Sequence, residues 1–205
     1  MPASTTRRTQ SDRSAATKAA LADAAIEVLI EKGWAAATAV EVCNRVGLTR
    51  GAFHHHYNNL PELLADALRR LYAEMVHTDR HRPESVVQVI NFTWDSVGNP
   101  RFKAVIEAWL AMANDSTLRT EIGPVVAEFA SLVNLKGNPV PRREAEVRDF
   151  LITARETMIG LALGRATNGG NPLGHERRVL ARLRAEAAAL DRNSIAIDMK
   201  ERSSE

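Results

Sequence analysis

Three consecutive histidines, His54, His55 and His56, follow the segment Thr49-Arg50-Gly51-Ala52-Phe53, and this run gathers many of the side chains that could bind or react. Imidazoles are metal ligands and general bases, but successive residues of a helix point about 100° apart, so three in a row cannot converge on one ion. Arg50 offers a different chemistry, because its planar guanidinium forms paired hydrogen bonds with a phosphate or with a guanine edge. Gly51 and Ala52 beside it are small, which lets the backbone come close to bases, sugars or methyl groups. Thr38 and Thr49 each sit just before a helical segment, where a hydroxyl can cap the helix and exposed amides can meet a phosphate. Capping without any such contact is the competing reading. Glu107, Glu128 and Glu156 could act as acids or bases. No nucleophile elbow, phosphate-binding glycine loop or His-Glu-x-x-His spacing accompanies them, so the sequence offers no catalytic residue, no metal site and no cofactor motif.

The elements that must position these residues are helices. From Arg13 to Lys32 apolar residues (Ala20, Leu21, Ala24, Ala25, Val28, Leu29) recur at helical spacing, and Gly33 stops the run. Two short helices are expected at Ala39 to Val46 and Arg50 to Tyr57. Between them Gly47 supplies the left-handed backbone of a sharp turn and Thr49 a cap. A longer helix begins after Asn59, where Asn59 and Glu62 have capping-box spacing, and ends before Pro83. Beyond it the helices expected are Glu84 to Val97, Arg101 to Ala113, Leu118 to Val133, Arg142 to Ala166 and Gly174 to Leu190, separated by Gly, Asn and Pro turn clusters. The fold class is therefore all-α with about nine helices. The expected organisation is a basic arm over 1–13, a helix-turn-helix domain over 14–60, a larger helical domain over 61–191 and a loose polar tail over 192–205.

Two short helices joined by a tight glycine turn present the second helix to a DNA major groove. Here that geometry comes with a longer pattern: Ala24-Ala25, Gly33, Thr38-Ala39-Val40-Glu41-Val42-Cys43, then Val46-Gly47-Leu48-Thr49-Arg50-Gly51-Ala52-Phe53-His54-His55-His56-Tyr57. Over Lys18 to Ala67 the chain resembles the amino-terminal domain of the TetR family, and over the rest only the helix count is similar. The resemblance implies a DNA-binding transcriptional regulator that pairs as a homodimer on a palindromic operator. It further implies a repressor released by an apolar or amphipathic effector. An activator or an effector-free DNA-binding protein is the alternative, and an enzyme is the rival from another class. The DNA-contact set expected is Thr38, Arg45, Thr49, Arg50, Gly51, Ala52, His54 and His55. The family usually has Tyr where this chain has His54, and a phosphate-reaching Lys where it has Leu60.

Charge agrees with that placement. Through Leu60 the chain has seven Lys/Arg against five acids, and the remainder is balanced, so the net +2 lies in the amino-terminal portion. The single cysteine, Cys43, cannot form an internal disulfide. With no stretch approaching the ~18 apolar residues of a membrane span, a cytoplasmic protein is expected. In the carboxy-terminal part, Phe92, Trp94, Trp109, Met112, Phe129 and Met158 are large, adaptable side chains on helices that the resemblance makes pocket walls. A closed core is the competing reading. Phe150, Leu151, Ala154 and Leu161 on one helix, with Val179, Leu183 and Ala187 on the next, form stripes that are either core or a dimer interface.

Overall fold

Alanine-rich, leucine-spaced sequence gives helices wherever glycine, proline or asparagine does not interrupt it. The computed structural model describes residues 10–76, 83–133 and 145–202. Among these residues are nine α-helices and no strand: α1 (Gln10–Lys32), α2 (Ala39–Val46), α3 (Arg50–Phe53), α4 (Leu60–Val76), α5 (Val86–Val97), α6 (Phe102–Asn114), α7 (Ser116–Val133), α8 (Ala145–Thr167) and α9 (Glu176–Arg202). A single 3-10 turn, Trp34–Ala36, joins α1 to α2.

Contacts group the described residues into two units, one within Met1–Glu74 and Ala104–Phe129, the other within Met75–Lys103 and Ala130–Glu205. This differs from a boundary at residue 60, because most of α4, the greater part of α6, and α7 through Phe129 belong with the amino-terminal helices. In the first unit α1 packs on the 3-10 turn and on α2, and α2 packs on α3. Leu21, Ala25, Val28 and Leu29 of α1 are fully buried, as are Val42 of α2 and Leu63, Ala67, Leu68 and Leu71 of α4. In the second unit α5 packs against α8 and α9, which also pack on each other. There the Arg165 guanidinium donates to both Glu176 carboxylate oxygens at 2.5 Å and to the Gly98 carbonyl at 2.8 Å, and lies over the Trp94 ring. The Asp191 carboxylate accepts from the first amides of α5, Val86 N at 2.7 Å and Val87 N at 3.2 Å.

Several boundaries move. Helix α1 begins at Gln10, so residues 10–13 are helical instead of part of an arm; Arg7 and Arg8 lie outside the described residues. Helix α9 runs to Arg202 where a loose tail was expected, because 191–202 contains no glycine or proline to stop it and includes the helix formers Ala196, Met199, Lys200 and Glu201. Pro124 lies inside α7, exposed, and forgoes one intrahelical bond without ending the helix.

Candidate nucleic-acid interface

The two threonines build the interface. Thr38, in extended backbone, accepts from Glu41 N at 3.2 Å and caps α2; Thr49, also extended, accepts from Ala52 N at 3.2 Å and caps α3. Between them Gly47 takes the left-handed conformation, φ +67°, with its amide directed to the last carbonyls of α2. These local choices turn the chain sharply, and apolar anchors hold the result: Val42, Cys43, Phe53 and Tyr57 are buried, while Val46 and Leu48 are half-buried. Burial pushes the Cys43 thiol above its ordinary value, consistent with a packing role.

The second helix is shorter than its sequence suggested. It ends at Phe53, and His54 to His56 form a turn in which His56 N and Tyr57 N both donate to the Phe53 carbonyl. Histidine is a modest helix former, and the turn lets Tyr57 enter the core. The Tyr57 hydroxyl donates to Asp66 at 2.6 Å, with the Lys18 carbonyl 3.2 Å away and the Lys18 ammonium over its ring. Burial first, then the Asp66 carboxylate, raises the phenol far above its ordinary range, so it remains a neutral donor. The start of α4 is fixed by Asn59, whose side chain accepts from Glu62 N at 2.8 Å. The returning arm of the expected capping box lands one residue earlier, Glu62 accepting from Asn58 N at 2.8 Å.

This scaffold leaves Thr38, Thr49, Arg50, Gly51, His54 and His55 exposed, and Ala52 half-buried, on the α2 and α3 segment. Arg50 makes no ion pair among the described residues. Arg45 is placed differently. Its guanidinium meets Glu31 at 2.5 Å, Glu27 at 3.5 Å and Glu41 at 3.6 Å, and Lys32 meets Glu41 at 2.7 Å. Arg45 therefore ties α2 to α1. Its hydrogen bond lowers the Glu31 carboxyl, as that of Lys32 lowers Glu41, and the bond to Glu31 raises Arg45 in turn. Sequence reasoning missed Val40, which is 56% exposed on α2 although the buried face of that helix is Val42 and Cys43. An apolar, β-branched residue off the buried face was the available signal. It also missed Glu107, which accepts a hydrogen bond from the Trp34 amide at the α1–α2 turn; nothing local to either residue announces that contact.

The residues read as pocket walls do not come together in one unit. Trp109, Met112 and Phe129 belong to the first and Phe92, Trp94 and Met158 to the second. Met158 is buried, and Trp94 has Arg165 over its ring. Phe129 stacks on Tyr72 with centroids 3.9 Å apart. The Tyr72 hydroxyl is buried without a well-formed hydrogen bond, although Trp109 is near enough to act on it; burial dominates and raises this phenol too. The stripe read as core or interface is mostly core: Phe150, Ala154, Leu161, Leu183 and Ala187 are buried within the single chain, while Leu151 and Val179 are half-exposed. Helix α8 carries a second apolar face, and Ile152 and Leu163 remain 48% and 45% exposed on it. Among the described residues no helix is long and apolar enough to cross a membrane.

Residues 21–67 match the family model described as bacterial regulatory proteins, tetR family. The HTH-type transcriptional regulator CymR of Pseudomonas putida is 38% identical over 76 residues, which is 37% of this chain and 37% of that relative, so the match spans little more than a third of its length. An HTH-type transcriptional regulator of Mycobacterium tuberculosis, Rv2912c, is 23% identical over 146 residues, 67% of this chain and 74% of its own. Among solved structures, a protein described as a TetR-family transcriptional regulator from Rhodococcus sp. superposes with a TM-score of 0.62 at 14% identity, covering 83% of this chain and 97% of its own. The multidrug binding protein EbrR, complexed with imidazole, superposes with a TM-score of 0.57 at 22% identity, covering 81% of this chain and 93% of its own. At these identities the structural likeness speaks for the fold.

Proposed function

We propose that this chain, a member of the TetR family of bacterial transcriptional regulators, binds an operator as a two-fold dimer and represses transcription until a small molecule releases it. The observation that carries the reading is the exposed α2–turn–α3 segment: two threonine-capped helices around Gly47, with Arg50, Gly51, His54 and His55 facing solvent. In this reading α3 enters the major groove, Gly51 and Ala52 allow close approach, and Arg50 contacts a guanine or a phosphate. His54, His55, Thr38 and Thr49 line the backbone, and Val40 offers an apolar contact to a sugar or thymine methyl. The protein acts in the cytoplasm, where the DNA is, and as a regulator in place of an enzyme.

Dimerisation falls to the outward face of α8, where Ile152 and Leu163 with half-exposed Ile159 make an apolar stripe that a second copy would cover. The effector is apolar or amphipathic with one hydrogen-bonding group, suited to the buried Tyr72 hydroxyl beside Trp109 and Phe129. The name of EbrR, a multidrug binding protein, is in keeping with such a ligand. An effector-free regulator is the second reading, favoured by the burial of Met158 and the occupation of Trp94 by Arg165.

Selection of duplexes from a random library by the purified chain, followed by titration at several salt concentrations, tests the proposal. A palindromic consensus, bound with an affinity that falls steeply with salt, is the expected result. Weak, sequence-indifferent binding at physiological salt refutes it. A thermal-shift screen for apolar ligands, repeated with the selected duplex present, separates the two readings, since an effector that releases DNA must itself be weakened by DNA.

A further inference from the structure

We infer that Glu107 is a positioning residue for DNA binding: from the middle of α6 its carboxylate holds the turn between α1 and α2 and so fixes how the helix-turn-helix is presented. The inference rests on the DNA-binding reading above and adds to it a residue 73 positions from the turn it controls.

The Glu107 Oε2 accepts from the Trp34 amide, the first of the 3-10 turn. Three later amides there are paired locally: Ala36 N to the Gly33 carbonyl at 3.3 Å, Ala37 N to the Trp34 carbonyl at 3.0 Å and Thr38 N to the Ala36 carbonyl at 2.8 Å. The Trp34 amide therefore takes its acceptor from another helix. Gly33 makes room for that acceptor. It is buried, its φ is +82°, and a Cβ there would lie 2.6 Å from Oε2 and 3.0 Å from Oε1 of Glu107. One glycine thus supplies the left-handed backbone that ends α1 and vacates the space the carboxylate occupies. From the held amide the chain reaches the α2 cap, Thr38, in four residues, and the amides of the last three are hydrogen-bonded within the turn.

Beside the apolar packing of α1 on α2, the polar ties between them are ion pairs, among them Lys32–Glu41 and Arg45–Glu31, which salt screens. The Glu107 contact is part-buried and charge-assisted, so it persists where those weaken. A recognition element must be held to within about 0.5 Å and 10–20° of its productive geometry, and this turn leads directly into α2.

The test uses the full chain, a duplex selected by the unaltered protein, and a random-sequence duplex of equal length, at a temperature where each variant is folded. Glu107→Ala should lower affinity for the selected duplex by about tenfold or more while leaving the random duplex unchanged, because the charged surface is intact but its geometry is not. Glu107→Gln keeps an acceptor and should retain most of the specific affinity. Gly33→Ala drives a methyl into the carboxylate and should reproduce the specific loss, and it carries the test if Glu107→Ala does not fold. Full specific affinity in Glu107→Ala or Gly33→Ala, equal losses on both duplexes, or a Gln variant as weak as alanine each overturns the inference. If the unaltered protein enriches no duplex, the DNA-binding reading fails and this inference with it.

Discussion

Gly51→Ala tests the interface with two effects of opposite sign. Gly51 is exposed within α3, its φ is not positive, and an added Cβ would meet only the Thr49 hydroxyl oxygen, at an ordinary 3.8 Å. Nothing in the free protein resists the methyl. Alanine also loses less backbone freedom on folding than glycine, so the substitution should stabilise the protein by about 0.5–1 kcal/mol, a rise in melting temperature of about 1–4 °C for a chain of this size. In the proposed complex the same methyl would enter a contact that works by closeness. Overpacking there should cost about 1–3 kcal/mol at each half-site, a loss of about 5- to 150-fold per contact. Thermal melts of the free protein, paired with fluorescence-anisotropy titrations of the selected duplex, read both quantities. A raised melting temperature with unchanged affinity would refute the close approach of α3 to DNA. A lowered melting temperature would refute the structural argument itself.

Three further outcomes follow from the same geometry. Arg50→Ala should weaken operator binding by about 1–3 kcal/mol with an unchanged melting temperature, whereas Arg45→Ala should lower the melting temperature and leave the dependence of log K on log salt as it was; the reverse pattern would exchange their roles. Leu60→Lys, at the half-buried first position of α4, should steepen that slope by about 0.9 per subunit if the lysine reaches a phosphate, and an unaltered slope in a folded, binding variant refutes a missing contact there. The Arg165 hydrogen bond holds the Glu176 carboxyl below its ordinary value, so its contribution to stability is present above the usual carboxylate range and is lost as pH falls through the folded value. Glu176→Gln should therefore lower the melting temperature at neutral pH and flatten its acid limb, and an unchanged acid limb counts against the pair.

The helix-turn-helix was legible because its causes are local. Thr38 and Thr49 cap the helices they precede, Gly47 adopts the left-handed turn, and the apolar spacing of Val42, Phe53 and Tyr57 points to the buried side. What depended on distant partners was not legible. The pairing of Arg45 with Glu31 joins residues of two helices, and the acceptor for Trp34 N arrives from α6. In α8 two apolar faces share one helix, and spacing cannot say which is buried; Phe150, Ala154 and Leu161 are, and Ile152 and Leu163 are not. The length of α9 is not legible from polarity, because the polar residues of 191–202 are as compatible with a helix as with a loose tail.

The burial of Phe150, Ala154, Leu161, Leu183 and Ala187 within one chain bears on the proposed dimer. A protomer that closes its own core can lose its partner without losing its fold, unlike obligate dimers whose melting depends on concentration. In the proposed dimer, dissociation and unfolding would then be separate events, and two differently tagged populations of the protein would be expected to exchange subunits on mixing. If the proposed dimer forms in this way, a cell holding one intact copy and one with a damaged α3 would assemble mixed pairs with a single working half, and such a damaged copy would act dominantly.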